Sequence, residues 1–154
     1  MQRLAPDDVV EVAKHLDSLE WSWTPDELGA ALEAVGLTAL DPLGSPSVRI
    51  EHPGLPGVFG FVVNLVDESM VLEISVTITA VIESGDQDAV ATLNAVYEDY
   101  DAALKAAFGN PDDRPADQGA VWDRGEEVLE LRHLTIALAL VRVSKRSRKK
   151  RQGG

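Results

Sequence analysis

Between Pro6 and about Leu19 the apolar residues Val9, Val12, Ala13 and Leu16 recur at helical spacing. Pro6 suits an early helical position, and Asp7 and Asp8 fall in the first turn, where the helix dipole favours anions. A second helix carries fuller punctuation: Thr24 as cap, Pro25 at the first helical position and Glu27 closing a capping box. Leu28, Ala31, Leu32 and Val35 form its stripe, and Gly36 is its stop. The two are expected as a helical hairpin joined by Glu20-Trp21-Ser22-Trp23.

From Leu40 to Gly57 four prolines and three glycines interrupt any period and mark a loop around one short strand, Ser47 to Glu51. Phe59, Phe61, Val63 and Leu65 then alternate with other residues over Phe59 to Val66, and Asp67-Glu68-Ser69 makes a turn. Met70 to Ile82 reads as a long strand with Leu72, Ile74, Val76 and Ile78 on one face. Its other face, Glu73, Ser75, Thr77 and Thr79, is expected to be wet.

After Ser84-Gly85-Asp86 the period returns to that of a helix as far as Phe108. Val90, Leu93, Tyr97, Tyr100, Leu104 and Phe108 form its stripe, with Gly109 as the stop. Asn110 to Gln118 reads as an exposed loop, and Ala120 to Arg124, Val128 to Arg132 and Leu134 to Val143 as three further strands. Short turns between consecutive strands imply antiparallel pairing. The expectation is an α+β fold in the order α-α-β-β-α-β-β-β: an antiparallel sheet of about five to six strands, with one long helix inserted between strand groups. One domain over residues 1–144 accommodates all of it, and residues 145–154 are expected to form a disordered basic tail.

Charge is divided unevenly between these parts. The chain has a net charge of −12, but six of its fourteen basic residues lie in the last ten positions, so residues 1–144 carry about −18. A body this acidic repels phosphates, which argues against nucleic acid as its partner. The tail, Lys145-Arg146-Ser147-Arg148-Lys149-Lys150-Arg151, suits nucleic acid, anionic lipid or the acidic body itself, while a soluble terminus is the plainer reading. The absence of cysteine excludes disulfides and thiolate chemistry. No secretory signal opens the chain and no apolar stretch approaches the roughly 20 residues needed to span a bilayer, so a cytoplasmic protein without membrane contact is expected.

His15, His52 and His133 occur singly, without metal-ligand spacing, and are assigned no role. Gly44-Ser45-Pro46 lacks the second glycine of a nucleophile elbow, and no phosphate-cradling glycine motif occurs. Asp86 with Asp88 is better explained by helix capping than by calcium binding, Glu98 with Asp101 by a solvated helix face, and Asp112 with Asp113 by a turn. Trp21, Trp23 and Trp122 read as core anchors. Neither a cofactor nor a metal is called for, and the chain is not expected to be an enzyme.

Leu16 to Thr24, the helix end Ala106-Ala107-Phe108-Gly109-Asn110-Pro111, and Val121-Trp122-Asp123 followed by Val128-Leu129-Glu130-Leu131 resemble small actinobacterial domains of unknown function. The resemblance covers most of Pro6 to Val143, and its motifs are structural. It implies a kinship with immunity proteins of polymorphic toxin systems but carries over no functional residue, and the basic tail departs from the pattern. Charge and resemblance together favour a protein-binding domain that neutralises a basic toxin or serves as an adaptor, with Asp112, Asp113, Asp117, Glu126 and Glu127 as the candidate partner surface. A chaperone for a secreted protein, using apolar surface instead, is the second reading; a carboxylate-only or metal-dependent enzyme is the third.

Overall fold

Each period read along the chain becomes an element in the computed structural model, which describes residues 3–18, 25–34, 37–42, 47–51, 59–64, 71–83, 85–115, 119–134 and 137–144. Helices α1 (Pro6–Ser18) and α2 (Pro25–Ala34) precede strands β1 (Thr38–Ala39), β2 (Ser47–Glu51), β3 (Phe59–Asn64) and β4 (Val71–Thr77). The long helix α3 (Gln87–Phe108) leads to β5 (Gly119–Asp123), β6 (Glu127–His133) and β7 (Leu138–Ser144). The fold is α+β, as its pattern predicts. Thr24, Trp21, Trp23, Gly36, His52, Asp117, the turn at 67–69 and the basic tail lie outside the described residues.

The strands form one antiparallel sheet in the order β1-β2-β3-β4-β7-β6-β5. Strand β4 pairs with β7, although three elements separate them in sequence. The chain leaving β4 must therefore travel to the far edge before returning inward through β5, β6 and β7. That journey is α3. Its start is fixed by Asp86, whose carboxylate accepts from the Ala89 N–H at 3.0 Å. Its end is fixed by Gly109, with φ of 87°, whose N–H reaches the Lys105 carbonyl at 2.8 Å.

One face of the sheet packs on α1 and α3. Val48, Ile50, Ile74, Val76, Ala120, Trp122, Leu129, Leu131, Leu138 and Leu140 meet Val9, Ala13 and Leu16 of α1 and Leu93, Val96, Tyr100 and Leu104 of α3. Trp122 is the anchor its strand position suggests, buried with its indole N–H donating to the Gly109 carbonyl at 2.9 Å. Tyr100 is fully buried, and its hydroxyl donates to the Leu4 carbonyl at 2.5 Å. This bond ties the N-terminal segment, which pairs through Arg3 with Thr79, to the long helix.

Three differences from the expected pattern have physical causes. The strand expected over Met70 to Ile82 ends as β4 at Thr77. Beyond it the Leu4 N–H bonds the Ile78 carbonyl, the Ile78 N–H bonds the Leu138 carbonyl, and the Thr79 hydroxyl accepts from the Leu138 N–H. The last strand begins at Leu138 rather than Leu134, because Leu134 N–H and the Ala137 carbonyl close a turn at 2.9 Å. The face of β4 expected to be wet is buried.

On that face Glu73 is 7% exposed, Thr79 is fully buried, and Ser75 and Thr77 are half-buried. The register sets Glu73 against Val143 and Ser75 against Val141. Val121, Val128, Ala139, Val141 and Val143 form a second apolar cluster there. Arg132 meets Glu73 at 3.4 Å and Glu130 at 3.1 Å, so both buried carboxylates keep a cationic partner. Alternation in β4 identifies its two faces correctly, but its polar face is buried here, with its charge paired across strands.

Burial pushes the Tyr100 hydroxyl up to about 12 from its ordinary value near 10. A folded-state acid that holds its proton more tightly stabilises the fold below the unfolded value and loses that contribution as pH rises through the folded one. Urea denaturation should therefore show stability falling between pH 10 and about 12, and Y100F should lose that slope. At neutral pH Y100F should be less stable by about 1–2 kcal/mol, since the buried Leu4 carbonyl loses its donor.

Candidate functional site

The end of the sheet at the β5–β6 turn gathers the charges that the sequence marks for partner binding. Asp112 and Asp113 follow α3 and run along the outer side of β5. Their N–H groups reach the Val121 carbonyl at 2.8 and 3.3 Å, and the Val121 N–H returns to the Asp113 carbonyl at 2.9 Å. The Asp112 carboxylate accepts the Asp123 N–H at 2.7 Å. These two aspartates close an edge strand, where exposed N–H groups would otherwise invite another chain.

Glu127 faces inward at the same end and takes the guanidinium of Arg142, which is 5% exposed. Arg142 also donates to the Leu16 carbonyl at 2.6 Å, at the C-terminal end of α1. Burial lowers its pKa to about 10, which leaves it charged at neutral pH. Beside it Arg124 forks onto Asp17 with two contacts of 2.7 Å, and its guanidinium lies 5.5 Å from the Phe108 ring centre. The hydrogen bonds to Asp17 hold Arg124 above the ordinary guanidinium value despite partial desolvation. Glu126 is exposed at the tip of the turn. Of the five expected residues, then, Asp112, Asp113, Glu126 and Glu127 share one end of the sheet, and Asp117 lies outside the described residues. Three of the four perform structural tasks.

A cleft of about 530 Å³ opens elsewhere, between α3 and the other end of the β5–β6 pair. Helix α3 supplies Asn94, Tyr97 and Glu98, spaced so that they share one side of the helix. His133 lines it from the end of β6, with Arg114 and Pro115 from the loop before β5. The His133 Nδ1 lies 2.8 Å from the Leu134 carbonyl and its Nε2 lies 2.8 Å from Asn94 Oδ1. Its ring tilts against Tyr97 at 5.3 Å between centres. Arg114 forks onto Asp101 at 3.1 and 3.0 Å, and those bonds raise the guanidinium above its ordinary value. Burial, with Asp101 and Glu98 nearby, pushes the Tyr97 hydroxyl up, while Arg114 pulls the other way.

None of these side chains stands out as a site in the sequence. Tyr97 reads as part of the core stripe, Glu98 as solvated surface and His133 as an isolated strand end. The available signal is the polar run Asn94, Tyr97 and Glu98 beside an apolar stripe, but their partners arrive from residues 114–133 and only the fold brings them together. A second cleft of about 500 Å³ lies between Arg3 and the opposite side of α3, at Thr92, Ala95 and Asp99. Among the described residues no group of three or more His, Asp or Glu side chains is arranged to hold a metal ion, and no helix is long and apolar enough to cross a membrane.

The model of a family of unknown function, DUF6301, matches residues 7–144, almost the whole chain. The chain belongs to the DUF6301 family. The match runs from the first turn of α1 to the last residue of β7 and stops before the six basic residues of the tail. No curated protein and no solved structure matches the chain. In this DUF6301 chain the sheet edge supplies its own test. D112A should lower stability by about 1 kcal/mol in urea denaturation, because the Asp123 N–H loses its acceptor. D112N keeps a carbonyl oxygen in place and should stay close to the parent; equal effects of the two would contradict the edge-closing role.

Proposed function

We propose that this chain is a non-catalytic protein-binding domain of the immunity or adaptor type, which captures a basic partner protein through an anionic surface. The observation that carries the reading is the imbalance of its exposed charges. Among the described residues Arg49, Arg114 and Arg124 are each committed to a carboxylate of this same chain and Arg3 lies 4.0 Å from Asp99, while the exposed Lys14 and Lys105 make no ion pair there. Asp7, Asp8 and Glu11 on α1, Asp88 and Glu98 on α3, and Glu126 in the β5–β6 turn are exposed and make no ion pair among those residues. Surplus charge of one sign accelerates encounter with an oppositely charged partner.

Asp112 and Glu127 contribute to the field of this surface but are poor probes of it, since their carboxylates hold the Asp123 N–H and the Arg142 guanidinium. Glu126 is the clean probe among the five. Affinity capture at low salt from the cells that make the chain would yield the partner, and stopped-flow kinetics would then measure its association. E126K should slow association about two- to fivefold at low ionic strength, with dissociation little changed and the difference shrinking as salt is added. An association rate indifferent both to E126K and to salt would overturn the anionic-surface reading and favour an apolar contact, the chaperone mode.

A further inference from the structure

The cleft between α3 and β6 has unspent bonding capacity of one sign. Arg114 has both terminal nitrogens of its guanidinium on Asp101, and His133 has both ring nitrogens engaged, with the Leu134 carbonyl and with Asn94. The groups best suited to an anion are thus already occupied by the protein's own oxygens. Glu98 lines the same cleft, is exposed, and makes no hydrogen bond or ion pair among the described residues. Next to it stand the tilted rings of Tyr97 and His133. Asp101 pairs with Arg114, and Glu98 is the one carboxylate that lines the cleft among the described residues.

An aromatic wall beside an unspent carboxylate suits a planar cation. A guanidinium stacks on an aromatic face and accepts a carboxylate at its edge, which a compact ammonium does less well. A volume of about 530 Å³ lies within the range of sites that take small ligands or single side chains. We propose that this cleft is a recognition pocket for an arginine side chain of the partner protein, held between the Tyr97 ring and the Glu98 carboxylate. That the arginine belongs to a basic protein rests on the binding function proposed above; that the cleft accepts a guanidinium rests on its own geometry.

The test uses the full chain, labelled with ¹⁵N and titrated with N-acetyl-arginine amide, followed by two-dimensional NMR. Saturable shifts should be confined to the cleft: the backbone amides of Tyr97, Glu98 and Gly119 and the side-chain amide of Asn94. E98Q, a change at an exposed position, should weaken that binding about fivefold while leaving the rest of the spectrum in place. Inorganic phosphate should produce no saturable shift there. Absence of saturation by the arginine probe, equal binding to E98Q, or saturation by phosphate in its place would each overturn the assignment. Because the probe is a free amino-acid derivative, such a failure would leave the anionic-surface reading standing, and a salt-indifferent partner would remove that reading without touching the pocket.

Discussion

A buried guanidinium on the interior strand β7 ties the neighbouring strand β6 and the C-terminal end of α1 together at one point. Arg142 sits on the helix-facing side of the sheet, where its neighbours along the strand, Leu140 and Leu138, are core residues. A charge there is tolerated only if its donors are satisfied. Glu127 of the neighbouring strand and the Leu16 carbonyl at the end of α1 satisfy them. That carbonyl is one of the acceptors a helix terminus leaves without a partner, at the negative end of the helix dipole. Arg124 adds a second cation at the same terminus through Asp17. Arg142 of β7 and Arg124 of the β5–β6 turn thereby hold the C-terminal end of α1.

Carboxylates perform a second structural task at the margins of the sheet. At one margin Asp112 accepts the Asp123 N–H; at the other Asp41 accepts the Arg49 N–H at 2.9 Å and grips the same residue's guanidinium. Those bonds hold the Asp41 carboxyl below the usual carboxylate range. In both cases a side-chain oxygen takes an edge N–H that a further strand would have used. Part of the acidity of this chain is therefore architecture, while among the described residues Asp7, Asp8, Glu11, Glu33, Glu83 and Glu126 are exposed. Net charge alone overstates the acidity that is left unpaired at the surface.

The distinction explains what can be read from the chain and what cannot. Helix α3 is legible to within a residue or two because its signals are local: Asp86 caps it, Leu93, Tyr100 and Leu104 face the core, and Gly109 releases it. The two faces of β4 are legible for the same reason. The burial of its polar face is not, because the cation that partners Glu73, Arg132, lies 59 residues away. Asp112 and Asp113 look like a surface turn in sequence, since nothing local says that β5 is an edge strand. His133 looks isolated because its companions Asn94 and Tyr97 lie on a helix about forty residues earlier. Periodicity reports the environment of an element; the pairing of charges reports the topology, and topology here is set by the long crossing of α3.

The claim that one buried ion pair organises this end of the molecule is open to direct measurement by a double-mutant cycle on Arg142 and Glu127. Urea denaturation of the parent, R142M, E127Q and the double variant isolates the coupling from the separate cost of each change. Methionine keeps much of the arginine side chain's length without its charge, and glutamine keeps the shape of glutamate. R142M should be destabilised by about 3 kcal/mol and the two changes should be coupled by at least about 1 kcal/mol, because once the cation is gone the carboxylate at 127 has little left to lose. Additivity within about 0.5 kcal/mol would contradict the account, since it would mean that Arg142 and Glu127 act on the fold independently of each other.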